Sequence, residues 1–167
     1  LYPWPALSDW FAQVLEQELG GRLPRPQEVY MTFDHMVPVK NAAQEKFIRE
    51  SRAWASSKGI HVVEGEGIGH LLAIQEGWVK PGMGVPHFDT HVSSVGAIGA
   101  LGVGLLKEMI YPLATGRLWL KIPPLLRIRL TGRLPQGVMG RDLLHALIGK
   151  LGLERCGGKI VEFGGEG

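Results

Sequence analysis

Six residues of this 167-residue chain stand out as groups able to exchange protons with a substrate. They are Asp34 and His35 in MTFDHMVPVKN, His70 in GEGIGHLL, Asp89 and His91 in PHFDTHVSSVGA, and Glu162 in KIVEFGG. Each stands beside a turn or at the end of a predicted strand. An imidazole held by a carboxylate keeps one tautomer and stays basic enough to move protons near neutral pH. Several such pairs in one pocket exceed what stability needs and suit the addition or removal of water. Removing water means taking a weakly acidic C–H proton and protonating hydroxide as it leaves. A metal Lewis acid can bind that hydroxyl, and a His–Asp pair can supply its proton.

The elements that must position these groups follow from periodicity and breakers. Leu7, Phe11, Val14, Leu15 and Glu18 outline an amphipathic first helix with Ser8 or Asp9 as cap. Val29 to Phe33 reads as a strand that delivers Asp34 and His35. Asn41 caps a helix through Lys58, with Ala43, Phe47, Ile48 and Trp54 expected on its buried side, and Gly59 ends it. Ile60 to Val63 is the next strand, and a short helix carries His70. After a turn around Pro81-Gly82, a brief strand ending near Phe88 delivers Asp89 and His91. Gly96 to Leu106 reads as a small-residue helix, and Glu108 to Thr115 continues helical. This alternation predicts an α/β fold, a parallel doubly wound three-layer sheet, in which ligands bind at the carboxyl ends of strands. Pro123-Pro124 marks a linker. Beyond it, a strand over Leu125–Thr131, a helix over Arg141–Leu151 and a strand over Lys159–Phe163 predict a second α/β unit. Domains are therefore expected at 1–121 and 122–167.

Composition narrows the function. Hydrophobic residues make up 45% and charged residues 20%, enough for a packed core and too apolar for disorder. The net charge is +2 with scattered Arg and Lys, so a nucleic-acid partner is not expected. No apolar run is long enough to span a bilayer. Cys156 is the only cysteine, which rules out an internal disulfide and any site needing several thiolates from this sequence. The opening LYPWPALSDW has neither a signal-peptide pattern nor an initiator Met, and both ends read as cut, so a fragment of a longer protein is expected.

The ordered blocks FDHMVPVKN, GIHVVEGEGIGHLLAIQEGWVKPGM, FDTHVSSVGAIGALGVG, LATGRLWLKIPPLLRIRLTGRLPQGVMGRDLLHALIGKLG and IVEFGG resemble the amino-terminal part of the aconitase superfamily. The large subunit of 3-isopropylmalate dehydratase and homoaconitase are the nearest likenesses. The resemblance covers Val29 to Gly165 and implies a hydro-lyase acting on a hydroxy di- or tricarboxylic acid. It implies that His35, paired with Asp34, protonates the departing hydroxyl. It pairs His70 with Asp89 and His91 with Glu162, and puts Thr90 and Ser93 at the substrate. It also implies a [4Fe–4S] cluster held by three cysteines further along the family's chain than this sequence reaches, so no metal ligand is expected here. A cluster-bearing remainder of the large subunit and a small swivelling subunit or domain would be the partners. The compartment would be cytoplasm or mitochondrial matrix, with no membrane.

There are departures from the family pattern. Thr90 replaces its usual Ser, Val92 stands where a polar Thr is common, and Pro86-His87-Phe88 replaces a Gly-rich lead-in. These changes support an alternative, a non-catalytic aconitase-like binding or interaction module with a remnant pocket. A third reading is a mononuclear metal site of His35, His70, Asp89 and His91. Taken singly, His61, His87 and His145 read as capped or solvated residues, Glu64 and Glu66 as solvent-facing turn residues, and Trp54, Trp78 and Trp119 as packing residues.

Overall fold

In a computed structural model, residues 13–17 and 20–166 are described. The expected helix positions Leu7, Ser8, Asp9, Phe11 and Glu18 therefore lie outside the described residues. The chain divides into two units, Leu1–Leu118 and Trp119–Gly167.

The first described element of the first unit is a helical turn at residues 13–17, α1. A 3₁₀ turn at Pro26–Glu28 leads into strand β1, Tyr30–Phe33. Helix α2, Ala42–Ser57, starts at Asn41, whose Oδ1 accepts the Gln44 N–H at 2.9 Å. It ends where Gly59 takes a left-handed φ of 72°, open to glycine at little steric cost. Strand β2, His61–Glu64, then pairs in parallel with β1, the partners running from Tyr30 with His61 to Phe33 with Glu64. A parallel pair needs a long crossover, and α2 is that crossover. Ile48, Ser51 and Ala55 lie three to four residues apart, so one stripe of α2 is buried. Ile48 and Ala55 pack with Met31, Phe33 and Ile60 from the strands. Phe47 and Trp54 flank that cluster half-buried, whereas Ala43 is exposed, because it falls in the first turn before the helix reaches the sheet.

Helix α3, Gly69–Gln75, strand β3, Gly84–His87, and strand β4, Leu101–Gly104, form the next βαβ-like layer. β3 and β4 are parallel, with His87 opposite Gly104, and a 3₁₀ helix at Thr90–Ile98 connects them. The expected small-residue helix over Gly96–Leu106 is thus corrected to the end of that 3₁₀ helix followed by a strand. The reason is close approach. A Cβ on Gly102 would stand 2.2 Å from the Val92 carbonyl oxygen, and one on Gly104 would stand 3.3 Å from Thr90 Cα. The glycines let β4 lie directly against the 3₁₀ backbone. Val79, Val92, Val95 and Ala100 bury between them. A 3₁₀ turn at Lys107–Met109 and helix α4, Ile110–Thr115, supply a third cluster of Met109, Ile110 and Leu113 around Leu15.

The second unit holds strand β5, Leu125–Leu130, helix α5, Gly140–Leu151, a 3₁₀ turn at Leu153–Arg155 and strand β6, Ile160–Gly165. β5 and β6 are parallel, with Arg127 opposite Glu162. Trp119, expected to pack, is 90% exposed. Among the described residues the strands pair two by two, β1 with β2, β3 with β4 and β5 with β6. The fold is mixed α/β with small parallel sheets; one continuous doubly wound sheet is not formed by these pairs. No helix among the described residues is long and apolar enough to cross a membrane.

Candidate active site

Strands β1 and β3 both run out beside an aspartate. β1 is followed at once by Asp34, and β3 is followed by Phe88 and Asp89. In parallel sheets this carboxyl edge is where ligands bind, because chain direction changes there and loops are free to carry chemistry.

Asp34 is anchored on both oxygens. Its Oδ2 accepts the Gly69 N–H at 2.7 Å, tying the end of β1 to the start of α3, and its Oδ1 lies 2.8 Å from His35 Nδ1. The Asp34 side chain is only 6% exposed while that of His35 is 53% exposed. A carboxylate only accepts, so Nδ1 carries the proton in this pair and Nε2 is the basic atom of the neutral ring. Gly69 has to be glycine, since a Cβ there would stand 2.3 Å from Thr32 Oγ1.

Asp89 caps the Thr90–Ile98 helix. Its Oδ1 accepts the His91 backbone N–H at 2.9 Å and stands 2.7 Å from His91 Nδ1. Burial pushes the Asp89 carboxyl up, but the two bonds from His91 together outweigh it and hold the group below its ordinary range. The carboxylate is thereby kept ionised. His70 Nδ1 is 3.9 Å from Asp89 Oδ2, within ion-pair reach and beyond hydrogen-bond distance, and among the described residues this buried nitrogen has no hydrogen-bond partner. The His70 and His91 rings stack, with centroids 5.6 Å apart and planes 21° from parallel. His91 is 75% exposed, so its ring is presented to solvent by a carboxylate that is itself mostly covered.

Thr90 and Ser93 are three residues apart on a 3₁₀ helix, which puts them on one side, and both are exposed. Val92, on the other side, is 1% exposed within the valine cluster. Its departure from the family pattern is therefore a matter of core packing, not of a changed substrate surface.

Glu162 lies in the second unit at the third position of β6. Its Oε1 is 3.0 Å from Arg127 Nη2 on the neighbouring strand. Glu64, read as a turn residue, instead ends β2 and receives Arg52 through two bonds, Nε at 2.6 Å and Nη2 at 2.7 Å. Those bonds lower the Glu64 carboxyl against the opposing effect of burial. His61 meets Tyr30 edge-on, centroids 5.4 Å apart, and Tyr30 stacks on Trp78 at 4.2 Å. His145 is exposed on α5.

His87 is the residue that sequence reasoning passed over. Its Nδ1 accepts the backbone N–H of Asp89 at 2.8 Å. Burial drives the ring down to about 4, against the pull of Asp89 and Asp34. The available signal was its spacing, two residues before Asp89, from which a side-chain acceptor reaches the i+2 amide. A cavity of about 400 Å³ adjoins this region, with Thr32, Gly69, His87, Tyr30, Trp78 and Met109 in its wall.

Among the described residues no three His, Cys, Asp or Glu side chains are grouped to hold a metal ion. This corrects the reading of a mononuclear site at His35, His70, Asp89 and His91: Asp34 holds His35 while Asp89 holds His91, so the imidazoles are shared between two carboxylates. Cys156, the single cysteine, is half-buried just after the Leu153–Arg155 turn. The residues of this sequence do not by themselves fit an iron–sulfur cluster.

Residues 11–167 match the family described as the aconitase family (aconitate hydratase). The chain is 32% identical over 145 residues to the 3-isopropylmalate dehydratase large subunit 2 of Rubrobacter xylanophilus, covering 85% of the chain and 34% of that protein. It is 33% identical over 148 residues to the mitochondrial homoaconitase of Aspergillus fumigatus, covering 87% of the chain and 19% of that protein. It is 34% identical over 139 residues to the homoaconitase large subunit of Thermus thermophilus, covering 82% and 33%. The chain thus spans about a third or less of the length of these relatives. With the match running through both units, the chain belongs to the aconitase family.

Proposed function

We propose that this chain is part of an aconitase-family hydro-lyase that dehydrates and rehydrates a hydroxy di- or tricarboxylic acid, and that it supplies His–carboxylate pairs of the active site. The observation that carries the reading is the Asp89 cluster: one ionised carboxylate holds His91 through ring and backbone and has His70 3.9 Å away. In this reading His35, its Nδ1 proton held by Asp34, first takes a proton from water at Nε2 and then, as the imidazolium, gives that proton to the departing hydroxyl. His70 and His91, kept in register by Asp89, orient the substrate and hold protons beside it. Thr90 and Ser93 touch the substrate from the exposed side of their helix. Glu162 lends its carboxylate to the same reaction; it is included on the family resemblance alone.

The names of the relatives support the chemistry, and two of them are large subunits, which supports a separate small subunit as partner. We assign the [4Fe–4S] cluster ligands and the base that removes the C–H proton to the remainder of the full-length protein. The domain split at 121 and 122, and the closure of the strand pairs into a doubly wound three-layer sheet, belong to that same whole protein. The alternative of a non-catalytic module loses Val92 as support, since that side chain is core. It keeps the Thr90 and Pro86-His87-Phe88 departures.

The test is turnover by the product of the full native reading frame, loaded with iron and sulfide and mixed with its small subunit. Hydroxy di- and tricarboxylic acids should be converted to their unsaturated acids. Asp89→Asn should lower kcat roughly 10²–10⁴-fold, the usual range for losing general acid–base support, with little change in melting temperature. A loaded protein that turns over no such acid sinks the proposal.

A further inference from the structure

We propose that His87 is a positioning residue for the His70–Asp89–His91 cluster, holding the Asp89 main chain through its Nδ1. The inference rests on the hydro-lyase reading for its effect on turnover, and on geometry for the contact itself.

Two i to i+2 bonds follow one another at the end of β3. The Asp89 N–H donates to His87 Nδ1 at 2.8 Å, and the His91 N–H donates to Asp89 Oδ1 at 2.9 Å. The first is an Asx-type turn made by an imidazole, because Nδ1 stands the same number of bonds from the backbone as an Asn Oδ1. His87 itself is fixed. It is the last residue of β3, it lies opposite Gly104, and its carbonyl accepts the Leu105 N–H at 2.7 Å. The side chain thus carries the rigidity of the β3–β4 pair one step further, to the loop residue on which two histidines depend. Accepting at Nδ1 puts the ring proton on Nε2 and requires the neutral form. Burial keeps it neutral.

The test compares wild type, His87→Ala and His87→Asn in the full-length protein with its cluster and small subunit. Hydrogen-exchange mass spectrometry reports the Asp89 amide, and steady-state assays report kcat and KM. His87→Ala should speed exchange at Asp89 about fivefold or more, the worth of one neutral hydrogen bond. It should lower kcat about 10- to 100-fold, as loss of alignment does, with KM nearly unchanged. His87→Asn should restore both to within a few-fold of wild type. If His87→Ala fails to fold, the Asn variant and the nitrogen-15 shifts of the wild-type ring decide. Unchanged exchange in His87→Ala, an Asn variant as impaired as Ala, or a wild-type ring protonated on Nδ1 would each overturn the assignment. No turnover in wild type, with exchange still responding to His87→Ala, would overturn the hydro-lyase reading and leave the contact standing.

Discussion

At the residue scale, covered carboxylates at Asp34 and Asp89 present the exposed imidazoles of His35 and His91, while His70 is itself mostly covered. Asp34 takes a backbone N–H on one oxygen and fixes the adjacent histidine with the other, while Asp89 does both with a single oxygen. Short sequence separation makes Asp34-His35 legible before folding; Asp89 and His91 are near enough to bond as well, but the resemblance pairs them with His70 and Glu162, and the structure adds the Asp89–His91 bond. His87 shows the opposite case, since its role depends on burial, which turns an ordinary histidine into a permanent acceptor. A pH dependence follows. The folded ring sits at about 4, below its ordinary 6.5, so the unfolded chain takes the extra proton first as pH falls. Stability from the neutral ring is complete above about pH 6.5 and is lost as pH drops towards 4, by up to about 3 kcal/mol. Urea unfolding of wild type at pH 7 and pH 4.5 should show that loss. The His87→Asn variant has no such titration and should show a smaller pH difference; an equal difference in both would refute the assignment.

At the element scale, the site is set by where parallel strands stop and how tightly the following helix can lie on them. β1 and α2 were readable from the Val29–Phe33 run and the Asn41 cap. β4 was not, because GALGVG has the small residues of a packed helix and the short apolar run of a buried strand, and local pattern does not separate the two. The deciding contact is long-range in register: β4 pairs with β3 and its glycines face the 3₁₀ backbone. Gly102→Ala should therefore cost about 1–3 kcal/mol by overpacking, and more if the backbone cannot move, because the added carbon meets the Val92 carbonyl itself. Thermal melts of the two proteins check this. A melt within a degree or so of wild type would show that the β4 packing is wrong.

At the scale of the molecule, the two units differ in how much core they own. Every buried residue belongs to the first unit; among the described residues of Trp119–Gly167 none is buried. A two-stranded sheet needs a buried face, against further strands or a helix, to stand alone in water; none is buried here, and the pairs Arg127–Glu162 and Arg129–Glu166 are exposed and contribute little. The second unit expressed alone, residues 119–167, should show no cooperative thermal transition by circular dichroism, while residues 1–118 should melt cooperatively. A sharp transition in the isolated second unit would contradict this account.

The sequence by itself determined the adjacent pair and the family, because adjacent residues and ordered blocks keep their meaning without coordinates: Asp34 with His35, a capped α2, and the motif order from FDHM to IVEF; that Asp89 holds His91, which the resemblance pairs with Glu162, came from the structure. Only the tertiary structure decided that Val92 is core, that Glu64 receives Arg52, that GALGVG is a strand and that His87 grips Asp89. Each of those depends on which surface is removed from water, and burial is a property of the assembled chain, not of its neighbours in sequence.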